Sequence, residues 1–176
     1  MNQTIEVPAA DPAQHPYRWA MLFGVWLIYS AFGLTISALA PMVGPITRDL
    51  GLSHGAMGTV LGAWPFIYIG AAVPCGILLD RIGARRALLL AALIMAASGL
   101  CRAMAVDHLT MFLAVGIFGF GGPLISIGAP KIIAEWFEGK ERGLAMGIYI
   151  TGPAIGGILS LSLTNAVVLP FHDGDW

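Results

Sequence analysis

The residues best placed to do chemistry are charged ones gathered in two short runs. One is Asp80-Arg81-Ile82-Gly83-Ala84-Arg85-Arg86 and the other spans Glu135 to Arg142. An acid among arginines at the end of an apolar segment suits a salt bridge, or a carboxylate set on the positive N-terminus of another helix. For the second run the plainer reading is interfacial charge that contributes little stability. Hydrogen bonding and ring stacking are offered by Trp26, Ser30, Gly33 and Ser37, which recur at helical spacing with Tyr29 beside them. Trp64 and Tyr68, four apart, add to these, as do Ser126 and Tyr149. For each residue taken singly, packing between helices is as good a reading as contact with a solute. No nucleophile–base pair, phosphate loop or metal-ligand spacing emerges, so neither an enzyme nor a bound metal or cofactor is expected. His54 and His108 read as solvated.

These residues are carried by segments that composition places in a bilayer. The 176 residues are 57% hydrophobic and 11% charged, against about a quarter charged in a soluble domain, and the mean hydropathy is +0.81. The charge-free stretches Trp19–Thr47, Leu50–Leu79, His108–Pro130 and Gly143–His172 each exceed the roughly 20 residues that cross a membrane. Ala87–Cys101 is shorter and extends past Arg102. The expectation is an all-α membrane protein with five transmembrane helices, at about 19–40, 54–79, 87–106, 108–130 and 143–168, forming a bundle over 18–170. Helices are required because unpaired backbone amides are too costly in lipid.

Short loops carry the punctuation. Pro41 and Pro45 are expected to close the first helix, and Ser53 and Asp107 to cap the second and fourth. Small residues at four-residue spacing, Gly58/Gly62, Gly143/Gly147 and Gly152/Gly156/Ser160, suit close helix packing. With the N-terminus in the cytoplasm, Arg18, Arg81, Arg85, Arg86, Lys131, Lys140 and Arg142 fall inside and Arg48 and Arg102 outside, as the positive-inside rule asks. Residues 1–17 read as a disordered cytoplasmic tail rather than a signal peptide. Residues 171–176 read as an extracytoplasmic end, truncated where a sixth helix would begin. No basic patch suggests nucleic acid as a partner, and Cys75 and Cys101 lie at different depths, too far apart for a disulfide.

The loop Gly76-Ile-Leu-Leu-Asp80-Arg81-Ile-Gly83-Ala-Arg85-Arg86 resembles the cytoplasmic motif G-x-x-x-D-R-x-G-R-R of the major facilitator superfamily, with the basic pair displaced past Ala84. Glu135 and Arg142 are similar to the charged pair of that family's second cytoplasmic loop. Gly152-Pro153-Ala-Ile-Gly156-Gly157 is similar to a G-P-x-x-G-G element of its antiporters. The resemblance implies an incomplete amino-terminal six-helix half of a secondary transporter in the plasma (inner) membrane. It would move a small solute by alternating access, with a lean toward antiport, alongside a carboxy-terminal half supplied in cis or in trans. It also implies roles. Asp80 would latch a cytoplasmic gate with Arg81 as its nearest partner, and Glu135 and Arg142 would pair with Arg81, Arg85 or Arg86. Trp26, Tyr29, Ser30, Ser37, Trp64, Tyr68, Ser126 and Tyr149 would line the solute cavity, with no charged group at mid-depth. The alternative is a non-transporting fragment or an assembly half requiring a partner.

Overall fold

The computed structural model describes residues 16–168 and Pro170; the expected tail before residue 16 and the end at 171–176 lie outside the described residues. The chain forms α1 (Arg18–Ser37), α2 (Leu39–Asp49), α3 (His54–Ile82), α4 (Ala84–Ala103), α5 (His108–Trp136), α6 (Gly139–Ile150) and α7 (Gly152–Leu163), ending in a π-helical turn at Thr164–Val168. Five of the resulting spans are long and apolar enough to cross a membrane: Arg18–Asp49, His54–Ile82, Ala84–Ala103, His108–Trp136 and Gly139–Val167.

Four of the five spans run further than charge alone suggests. The first does not stop at Pro41 and Pro45 but continues to Asp49, broken only at Ala38. Pro41 has no N–H to offer the Ser37 carbonyl, which explains the break. It also falls in the first turn of α2, where that N–H is not needed. Ala38 keeps helical angles and its N–H still reaches the Leu34 carbonyl at 3.0 Å, so the axis is interrupted rather than reversed. A parallel break at Thr151 divides α6 from α7, because Pro153 cannot donate to Tyr149. The fourth expected helix runs six residues past Pro130, and the fifth begins at Gly139 rather than 143.

Between α3 and α4 only Gly83 is non-helical, at φ +82°, a conformation that glycine adopts without steric cost. Arg85 and Arg86 therefore stand on the first turn of α4, not in a loop, and α4 ends at Ala103 rather than 106. At the opposite ends, Ser53 Oγ accepts from Ala56 N at 3.1 Å, and Asp107 Oδ1 accepts from Thr110 N at 2.7 Å. The Thr110 hydroxyl receives the Asp107 N–H in return, completing a reciprocal cap on α5.

α5 is the centre of the bundle, with 67% of its most apolar window buried against 22–33% in the other spans. It packs on α3 and α4, while α1 packs on α7. Both close pairs depend on missing side chains. A Cβ placed on Gly119 would lie 2.7 Å from the Trp64 carbonyl, and one on Gly33 would collide with the backbone of Pro153. The outward faces stay apolar, with Phe66, Ile69 and Val73 of α3 more than 70% exposed, as a lipid-facing stripe should be.

Candidate functional site

Asp80 lies at the end of the bundle where α3, α5 and the starts of α1, α4 and α6 meet. Its partner is Lys131, whose Nζ donates to Oδ1 at 2.8 Å, tying α3 to α5. This corrects the expectation that Arg81 is the nearest partner. Consecutive residues point about 100° apart around a helix, so Arg81 faces away while the tightly packed α5 presents Lys131. Among the described residues, neither Glu135 nor Arg142 forms an ion pair with Arg81, Arg85 or Arg86. Glu141 instead meets Arg18 through two contacts, of 2.7 and 3.1 Å, joining α6 to α1. Arg85 lies over the Trp136 ring at 5.2 Å. The charged end is thus tied within helix pairs, one pair by Asp80–Lys131 and the other by Arg18–Glu141.

The stripe on α1 and the glycine-rich element of α7 interlock. Ser30 sits where a Cβ on Gly152 would lie 3.2 Å from its Oγ, and its backbone would collide with one on Gly156. Ser37 Oγ would stand 3.0 Å from a Cβ on Gly157, and Gly33 faces Pro153. Ser30 and Ser37 therefore line the α1–α7 seam, and Gly152, Pro153, Gly156 and Gly157 form its other side. Trp26 Nε1 donates to Thr151 Oγ1 at 3.0 Å, fastening α1 at the α6–α7 break. Ser126 Oγ turns back to its own helix, donating to the Gly122 carbonyl at 3.0 Å.

Four of the five aromatic candidates, Tyr29, Trp64, Tyr68 and Tyr149, come together through two residues with no sequence signal of their own, while Trp26 stacks on Phe23 at 5.9 Å. Tyr149 stacks on Tyr29 at 5.5 Å between centroids, Tyr29 on Phe32 at 5.9 Å, and Phe32 on Phe118 at 5.1 Å. Phe118 then meets Trp64 edge-on at 6.0 Å, and Trp64 meets Tyr68 at 6.2 Å. This chain of rings crosses α6, α1, α5 and α3. Phe32 and Phe118 lie in long charge-free runs, where an apolar ring in contact with other rings looks the same as one in lipid.

Arg102 is the residue most misjudged from sequence. It belongs to the last turn of α4, yet it is 9% exposed, and its guanidinium lies 5.3 Å over Phe118 and donates to the Thr35 carbonyl at 3.2 Å. Side chains on a helix lean toward its N-terminus, so an arginine near the C-terminal end of α4 reaches inward along the bundle instead of out to water. A cation thus reaches the aromatic chain, contrary to the expected absence of charge there.

Five apolar spans packed around a glycine-rich central helix, with Asp80–Lys131 and Arg18–Glu141 tying helix pairs at one end, make a membrane-embedded helical bundle. The chain belongs to the Major Facilitator Superfamily, whose family model it matches over residues 25–172. It is 36% identical over 129 residues to the probable L-galactonate transporter of Escherichia coli K12, covering 70% of this chain and 27% of that protein. It is 26% identical over 148 residues to the probable galactarate/D-glucarate transporter GudP of Bacillus subtilis, covering 75% and 30%. Against the methyl viologen resistance protein SmvA of Salmonella typhimurium it is 27% identical over 158 residues, covering 81% and 30%. The chain spans about a quarter to a third of the length of these curated relatives.

Proposed function

We propose that this chain is part of an alternating-access secondary transporter for small organic anions, with its Asp80 end facing the cytoplasm and acting as the gate. The observation that carries the reading is the Asp80–Lys131 pair beside Gly83. The pair is largely exposed, with Asp80 at 72% and Lys131 at 43%, so it adds little to stability. A charge placed where it does little for folding is free to exchange partners as the cytoplasmic side opens and closes.

The anion class is supported by relatives named for galactonate and galactarate or glucarate transport, and by a buried cation inside the bundle. The orientation is supported by seven basic residues at the Asp80 end against Arg48 and Arg102 toward the other. Antiport is the coupling mode suggested by the Gly152-Pro153-Ala-Ile-Gly156-Gly157 seam, where α7 meets α1 closely enough to slide as a unit.

The experiment is uptake of labelled organic anions of both kinds, L-galactonate and benzoate, by proteoliposomes carrying wild-type protein or Asp80→Asn. Binding is expected to change little, while turnover falls at least about tenfold, since the gate loses its charged latch. Equal turnover removes the gate assignment, and no uptake of any organic anion removes the substrate class.

A further inference from the structure

We infer that Arg102 and the cavity beside it form a binding site for a carboxylate carried on a compact apolar body. This deepens the proposed anion transport by naming the form of the anion, and it rests on that reading. Arg102 is 9% exposed, and among the described residues its guanidinium makes one hydrogen bond, to the Thr35 carbonyl, while its buried Nε has no partner. Among the described residues no carboxylate pairs with it. Asp107, five residues on, is held in its own cap by Thr110, and Asp49 lies against Arg48. A buried cation satisfied only by a carbonyl and a ring face keeps a large desolvation cost that an anion would offset.

The space for that anion is present. Arg102 and Thr35 border a cavity of about 360 Å³ between α1, α2, α4 and α5, within the range of small-molecule sites. The rest of its lining is apolar, including Leu34, Ala38, Met42, Ile46 and Met111. Such a wall offers nothing to the row of hydroxyls on a sugar acid. It fits a carboxylate whose oxygens take the unused guanidinium donors while a hydrocarbon or aromatic body fills the remainder. The Thr35 carbonyl lies just before the α1–α2 break at Ala38, so an anion drawing Arg102 away from it acts directly on that break.

Benzoate and its uncharged isostere benzamide, titrated calorimetrically into the protein in phosphatidylcholine nanodiscs, test the site. Benzoate is expected to bind at least about tenfold more tightly than benzamide. R102Q should abolish that preference, and R102K should retain most of it. A role for Arg102 in structure alone would shift both ligands alike. G99L fills the cavity while leaving the arginine in place, because a side chain on Gly99 meets open space; it should weaken benzoate too, and it decides the matter if R102Q does not fold. Equal binding of the two ligands, or a benzoate preference that survives R102Q or G99L, overturns the site. Tighter binding of D-galactonate than benzoate overturns the apolar body. Benzoate binding without uptake of any anion leaves this site standing and removes the transport reading, whereas anion uptake with benzoate binding indifferent to R102Q and G99L does the reverse.

Discussion

Asp107 and Trp26 show what single polar side chains contribute at the ends and breaks of these helices. Asp107 accepts from the Thr110 backbone and hydroxyl, and these bonds hold its carboxyl below the usual aspartate range. The folded value is depressed, so the cap's contribution is complete above the ordinary aspartate range and is lost as pH falls through the lowered value. The thermal midpoint of wild type is therefore expected to drop toward that of Asp107→Ala in acid, and the gap between them to be constant from neutral pH to about pH 5. A gap that instead widens with acid would mean that the protonated form caps better, against the geometry. Trp26→Phe removes the indole N–H and leaves the Thr151 hydroxyl bonded only to the Ile148 carbonyl. A loss of about 1 kcal/mol in unfolding free energy is expected by denaturant titration, with Thr151→Val removing a similar amount and the double variant scarcely more.

Among the helices, two seams carry the close approaches, and the glycines are not equivalent. Gly156→Val drives a side chain into the Ser30 backbone and is expected to cost at least about 2 kcal/mol, while Gly147→Ala, with open space before it, should be neutral or slightly stabilising through helix propensity. Comparable melting of the two variants in detergent would mean that α1 and α7 do not interlock as described. Four-residue spacing alone does not separate these cases. Gly143 and Gly147 share the spacing of Gly152 and Gly156 but meet nothing within 4 Å, because spacing identifies a face and not what lies against it. The same limit governs the rest of the sequence reading. The spans, the caps at Ser53 and Asp107 and the Gly83 turn were legible, since each depends on residues within a few positions. The breaks at Ala38 and Thr151 were half legible: Pro41 and Pro153 mark them, but whether a proline ends a span or interrupts it depends on whether the next helix packs in line. The Asp80–Lys131 pair, the aromatic chain through Phe32 and Phe118, and the inward reach of Arg102 join distant parts of the chain, and no local pattern encodes them.

At the scale of the whole molecule, the arrangement separates a charged end from a close-packed interior. The Asp80 end ties α3 to α5 through an exposed ion pair and α1 to α6 through a partly exposed one, and the interior holds α1 to α7 and α3 to α5 through missing side chains. In the proposed carrier, opening at the charged end would disturb weak, salt-sensitive contacts while the glycine seams persist, the mechanical division that alternating access needs. Raising ionic strength is accordingly expected to alter transport rate more than thermal stability. The central claim is that this chain serves a carrier of organic anions gated at Asp80. Its most direct test is counterflow, with proteoliposomes preloaded with unlabelled anion and given a trace of label outside, using L-galactonate and benzoate with wild type and Asp80→Asn. Saturable influx accelerated by the preloaded anion, and slowed in Asp80→Asn with its binding intact, is the expected result. Influx of neither anion above that of protein-free vesicles, or equal rates in wild type and Asp80→Asn, would contradict it.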